Sequence, residues 1–112
     1  MQIQSKDQAL IALCSTPDST NAKQLASGLV EAKLAACVQI LPPMLSIYQW
    51  DEKICQETEH LLVIKTLEKK WQVLEEYILE KHPYAEPELI GIPAVAVTKG
   101  YENWLTSCLP EC

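Results

Sequence analysis

The stretch from Ala36 to Thr66 constrains this chain more than any other part of it. Residues 36–50 are rich in β-branched and aromatic side chains and read as extended, interrupted only by Pro42-Pro43. Proline cannot donate to a strand ladder, so that pair marks a bend, a bulge or an edge, not the end of the strand. Past Trp50-Asp51-Glu52-Lys53 the chain turns back through Ile54 into Glu59-His60-Leu61-Leu62-Val63-Ile64-Lys65-Thr66, a second extended run. Together they make a hairpin whose arms, at roughly fifteen residues and about 3.3 Å per residue, are roughly 50 Å long. A compact domain of this size is only about 35 Å across. The hairpin therefore overshoots its own body, and the overshoot carries Ile47, Tyr48 and Trp50 together with unpaired strand edges that need a partner. Another copy of the chain is the simplest partner. Head-to-tail use of a hairpin edge is a heterologous contact that closes into a ring, and the expectation is a homotrimer with Ile47, Tyr48 and Trp50 in its interface.

The rest of the chain supplies the body. Ala9-Leu10-Ile11-Ala12-Leu13-Cys14 is a short apolar run closed by the turn cluster Ser15-Thr16-Pro17-Asp18, which reads as a buried central strand. Over residues 19–33 Ala22, Leu25, Ala26, Leu29 and Val30 recur at helical spacing, with Asp18 or Ser19 placed to cap the first-turn amides. Gly28 within that helix costs about 1 kcal/mol relative to alanine, which points to a close contact at its backbone. A second amphipathic helix is read over residues 68–81, carrying Trp71, Leu74 and Ile78 and stopped near His82 by Pro83. Residues 88–97 read as a last strand, with Pro93 arguing for an edge or a bulge, and residues 102–108 as a closing helix. The order is strand, helix, strand, strand, helix, strand, then a terminal helix. That is an α+β, ferredoxin-like βαββαβ arrangement, two helices on one face of an antiparallel sheet, with a long central hairpin and a short C-terminal helix.

Composition narrows the function classes. A chain of 112 residues, 48% hydrophobic and 21% charged, fits one globular domain over residues 1–112. Its formal charge of −6 gives no footprint for nucleic acid or for an anionic membrane. Residues 1–7 are polar and no apolar run approaches the ~20 residues of a membrane span, so neither a signal peptide nor an anchor is expected and the expected location is cytoplasmic. The five cysteines, Cys14, Cys37, Cys55, Cys108 and Cys112, form no CxxC pair and no even framework, and should stay reduced. Enzyme signatures are missing as well: there is no GxSxG elbow, glycine-rich phosphate loop or HExxH helix among only three glycines.

Five ordered segments resemble one family. They are Cys14-Ser15-Thr16-Pro17-Asp18, Leu34-Ala35-Ala36-Cys37-Val38-Gln39-Ile40, Ser46-Ile47-Tyr48-Gln49-Trp50-Asp51-Glu52-Lys53-Ile54, His82-Pro83-Tyr84-Ala85-Glu86-Pro87-Glu88 and Tyr101-Glu102-Asn103-Trp104-Leu105. The family is the divalent-cation tolerance proteins, CutA, and the likeness runs from about Leu10 to Leu109. The resemblance implies a ferredoxin-like fold, a homotrimer built through long hairpins, tolerance of copper and other divalent ions, no enzymatic activity and no organic cofactor. It also implies a likeness in shape to the trimeric PII signalling proteins, which bind small regulators between subunits. On that alternative, the ligand would enter an inter-subunit cleft beside Lys65, Tyr84, Glu86 and Glu88.

Some members hold copper through the cysteine of the first strand and two histidines before the Pro-Tyr motif. Here those positions are Cys14, Lys81 and His82, so Cys14 and His82 remain as metal ligands and Lys81 replaces a histidine. A protonated lysine cannot ligate a metal. Each of the two has a second reading: Cys14 shares a face with Leu10 and Ala12 as a small buried hydrophobe, and His82 caps the last carbonyls of the second helix. Two ligands are too few for a tight site in one chain, so Glu86, Glu88, a symmetry-related residue or water would complete it. His60, beside Glu57 and Glu59, reads as part of a solvated strand face. At the hairpin turn Glu52 stands where the family often has glycine, so either Glu52 is strained or the turn is of another type.

Overall fold

A computed structural model describes residues 8–110. The polar opening segment and Cys112 lie outside them. Five strands and three α-helices follow in the order β1 (Ala9–Thr16), α1 (Ser19–Glu31), β2 (Cys37–Ile40), β3 (Met44–Trp50), β4 (Lys53–Leu67), α2 (Trp71–Lys81), β5 (Ile90–Pro93) and α3 (Lys99–Cys108). The sheet order is β2-β4-β1-β5, with β3 also paired to β4, and every pairing is antiparallel. β4 is thus the spine: its second half lies between β1 and β2, and its first half carries β3 alone.

Pro42-Pro43 acts as a bulge. Ile40 lies opposite Leu62 and Met44 opposite Glu59, so four steps on one strand face three on the other. One extra residue is what a bulge inserts, and it bends the arm and increases its twist. The expected unbroken arm is therefore two strands, β2 and β3, while β4 runs unbroken for 15 residues.

Ala12, Cys14, Leu62 and Ile64 from the sheet bury themselves against Leu25 and Leu29 of α1 and Leu74 and Ile78 of α2. This is the alternation a strand imposes meeting the apolar stripe a helix imposes. α3 contacts β4 and buries Leu105, with Leu109 just beyond it.

Several boundaries differ from the sequence reading, each for a local reason. α1 stops at Glu31, not at residue 33, because Lys33 takes a left-handed φ of 59°. Leu34 N–H then bonds to the Leu29 carbonyl and Lys33 N–H to that of Val30, a Schellman closure with lysine in the place that favours glycine. Residues 68–70 form a 3-10 turn ahead of α2. β5 covers only Ile90–Pro93 of the expected 88–97: Pro93 has no N–H to give, Ala94 bonds to Ala9 where β1 begins, and Val95 is 99% exposed. Pro93 does lie on an edge strand. α3 begins three residues earlier than read, at Lys99.

The hairpin turn settles the question at Glu52. Asp51 and Glu52 both have positive φ, 52° and 61°. Two left-handed central residues make a type I′ shape, whose twist matches the flanking strands, so Glu52 occupies a strained backbone position.

Candidate functional site

The candidate residues meet where β1 ends, α2 stops and the loop after it begins. Pro83 halts α2, leaving His82 as its C-cap in an extended conformation. From there the His82 ring does not cap the helix carbonyls. It crosses to β1, where Nε2 lies 2.8 Å from the Ser15 carbonyl oxygen, while Nδ1 accepts the Tyr84 backbone N–H at 3.1 Å. An acceptor on one side and a donor on the other assign the neutral ring with its proton on Nε2. The Tyr84 ring packs on the His82 ring with centroids 4.8 Å apart.

Cys14 reaches the same spot. Its Sγ lies 3.8 Å from the Ser15 carbonyl oxygen, so thiol and imidazole converge on one acceptor. Cys14 thus sits both in the core cluster and beside His82. Burial pushes its thiol up to about 12, with the charges of Glu88 and Glu59 adding to the effect, so at neutral pH it is a thiol and not a thiolate.

Glu59 was not expected here. It is 7% exposed, not part of a solvated face, and accepts the Tyr84 hydroxyl hydrogen bond at 2.7 Å. Burial, then that bond and the Glu59 charge, hold the Tyr84 phenol above its usual range. On the strand the run Glu57, Glu59 carries no local signal of this, because burial comes from a loop 25 residues away. His60 has a structural task instead: its Nδ1 lies 3.1 Å from the Leu41 carbonyl oxygen beside the bulge.

The residues expected in an inter-subunit cleft are spread out within one chain. Lys65 Nζ donates to Gln39 at 2.8 Å and lies six positions along β4 from Glu59, the partner of Tyr84, or about 20 Å. Glu86 and Glu88 are exposed. Lys81, in the place of a second histidine, leans back over Tyr77 with Nζ 5.8 Å from the ring centroid. Ile47, Tyr48 and Trp50 are all exposed in the single chain.

As a metal site the arrangement offers two donors with good proximity and prior commitments. A thiolate must form at Cys14, and His82 must release either Ser15 or Tyr84 before a ring nitrogen can ligate. Among the described residues no group of three or more His, Cys, Asp or Glu side chains is placed to hold an ion. No helix among them is long and apolar enough to cross a membrane.

An antiparallel sheet with a long hairpin and three helices, and a buried thiol at the end of β1, defines the class as α+β. The family model described as CutA1 divalent ion tolerance protein matches residues 10–108, and the chain belongs to that family. It is 43% identical over 100 residues to the CutA homolog of Xenopus laevis, covering 89% of this chain and 66% of that one. It is 40% identical over 105 residues to the divalent-cation tolerance protein CutA of Yersinia pestis (strain Pestoides F), covering 94% of this chain and 88% of that one. The crystal structure of CutA1 from Oryza sativa superposes with a TM-score of 0.92 at 32% identity, over 97% of this chain and all of the other.

Proposed function

We propose that this protein is a homotrimeric, cytoplasmic divalent-cation tolerance protein that binds copper or a similar ion and has no catalytic activity or organic cofactor. The observation that carries the metal reading is the convergence of Cys14 and His82 on the carbonyl of Ser15. A soft thiolate, formed at Cys14 as the metal displaces its proton, and an imidazole suit copper. The remaining ligands come from a neighbouring subunit or from Glu88, whose charge already reaches Cys14.

The trimer is supported by the far half of the hairpin. Among the described residues β3 pairs only with β4, and Ile47, Trp50 and Ile54 are 61%, 59% and 73% exposed. β2 and β5 are both open edges, so a head-to-tail ring can satisfy each with the next copy. The ferredoxin-like reading is supported by the strand and helix order, with β2 and β3 counted as one bulged strand. The charge of −6 argues against a nucleic-acid or membrane partner.

Copper titration by calorimetry tests the metal reading. Binding is expected for the native protein and loss of it in the Cys14→Ala, His82→Ala double variant; unchanged affinity would discard these ligands.

A PII-like trimer is the second reading: Lys65 and Tyr84 lie about 20 Å apart along one chain, so on this reading a ligand that meets both would lie between two subunits. Stabilisation by nucleotides or organic acids in a thermal-shift screen, with none from copper, would select this reading over the first.

A further inference from the structure

We propose that the cleft between α1 and α2 binds a short-chain aliphatic carboxylate, with the Lys81 ammonium as its counter-charge. The cleft has a volume of about 210 Å³ and is formed by side chains from the end of β1, the first half of α1 and the last turns of α2. It is smaller than the ~300 Å³ at which drug-sized pockets begin, which limits the ligand to a few heavy atoms. It contains neither Cys14 nor His82, so the proposal stands independently of the metal reading.

The lining decides the charge of the ligand. Among the described residues that line it, Lys81 is the only ionised side chain, and Thr16, Asn21, Gln24 and Tyr77 are neutral. Glu76 and Glu80, next in sequence to Tyr77 and Lys81, are exposed and outside the lining, and the Asp18 carboxylate is turned to Asn21, accepting its backbone N–H at 2.8 Å and its side-chain amide at 3.0 Å. A lysine at a helix C-terminus ordinarily serves the dipole. This one leans back one turn over the Tyr77 ring, into the lining of the cleft.

The walls decide the rest. Tyr77 cannot swing freely, because its hydroxyl is lodged against Gly28 on α1. The Thr16 hydroxyl is fixed by donation to the His60 carbonyl at 2.9 Å. Leu25 and Pro83 complete the lining with apolar surface that suits an alkyl chain. A single lysine is a point charge without the arginine fork or the row of backbone N–H groups that phosphate sites use, which favours a monoanionic carboxylate.

The test is a titration of the full-length protein with butyrate, followed by amide chemical shifts. Saturable shifts are expected in α1 and α2. Lys81→Gln should weaken binding at least about tenfold, and Lys81→Arg should largely retain it. Lys81 is exposed, so Lys81→Gln should lower the unfolding temperature only slightly, through the lost ring contact and helix-end charge, and Lys81→Arg should leave it nearly unchanged. Failure of butyrate to saturate, equal binding of the neutral butyramide, equal binding of inorganic phosphate, or unchanged affinity in Lys81→Gln would each overturn the proposal.

Discussion

The Tyr77 hydroxyl on α2 occupies the space where a β-carbon on Gly28 of α1 would stand. The glycine that weakens α1 as a helix is what lets the two helices approach. Gly28→Ala should therefore lower stability by about 1–3 kcal/mol from overpacking, less the ~1 kcal/mol that alanine returns in helix propensity. Tyr77→Phe in the same background should recover part of the loss. A double-mutant cycle by urea unfolding checks this, and additive effects would show that the two residues do not interact.

Among the described residues three that are not glycine hold left-handed backbone where glycine would be free of strain: Lys33 at the end of α1, and Asp51 and Glu52 in the hairpin turn. Lys33→Gly and Glu52→Gly are each expected to raise stability by about 1 kcal/mol. Thermal unfolding of the single variants measures it. A drop in midpoint for either would mean that its side chain makes contacts worth more than the strain.

The raised thiol of Cys14 has a defined pH signature. A folded-state value about 12 against the ordinary 9.0 means that folding disfavours the thiolate. The associated stability is fully present below pH 9 and is lost as pH rises from there toward 12. Cys14→Ala should flatten that alkaline limb. In the native protein, thiol reagents at pH 8 should leave Cys14 unmodified until the chain opens, because it is fully buried.

Asp18 acts at the other end of the scale. Its side chain accepts the Asn21 backbone N–H as the N-cap of α1, and this bond, with the Asn21 side chain, holds its carboxyl below the ordinary 3.8. The contribution is present above about pH 4 and fades as pH falls through the lowered value. Asp18→Ala should remove that acid dependence from the unfolding curve between pH 5 and pH 2, and an unchanged slope would contradict the capping role.

Where local chemistry alone decides an element, it could be read from residues. The turn cluster at Ser15-Thr16-Pro17-Asp18, the apolar stripe of α1 and the Pro83 stop after α2 all appear as expected. Pro42-Pro43, read as a bend, a bulge or an edge inside one strand, is a bulge that separates β2 from β3, since a proline removes a donor but leaves the partner strand free to continue. Legibility fails where the deciding contact is remote. The length of β5 depends on where β1 begins, and the burial of Glu59 depends on Tyr84. The sequence singles out His82, but its bond to Ser15, 67 positions away, is a property of the fold and not of the helix end.

The mass of the protein in solution tests the central claim most directly. If the hairpin beyond the bulge finds cover only against other copies, light scattering at micromolar concentration returns three times the 12.6 kDa of one chain. Replacing Ile47 and Trp50 with aspartate should then break the assembly. A native protein that elutes and scatters as a single 12.6 kDa chain would contradict the account.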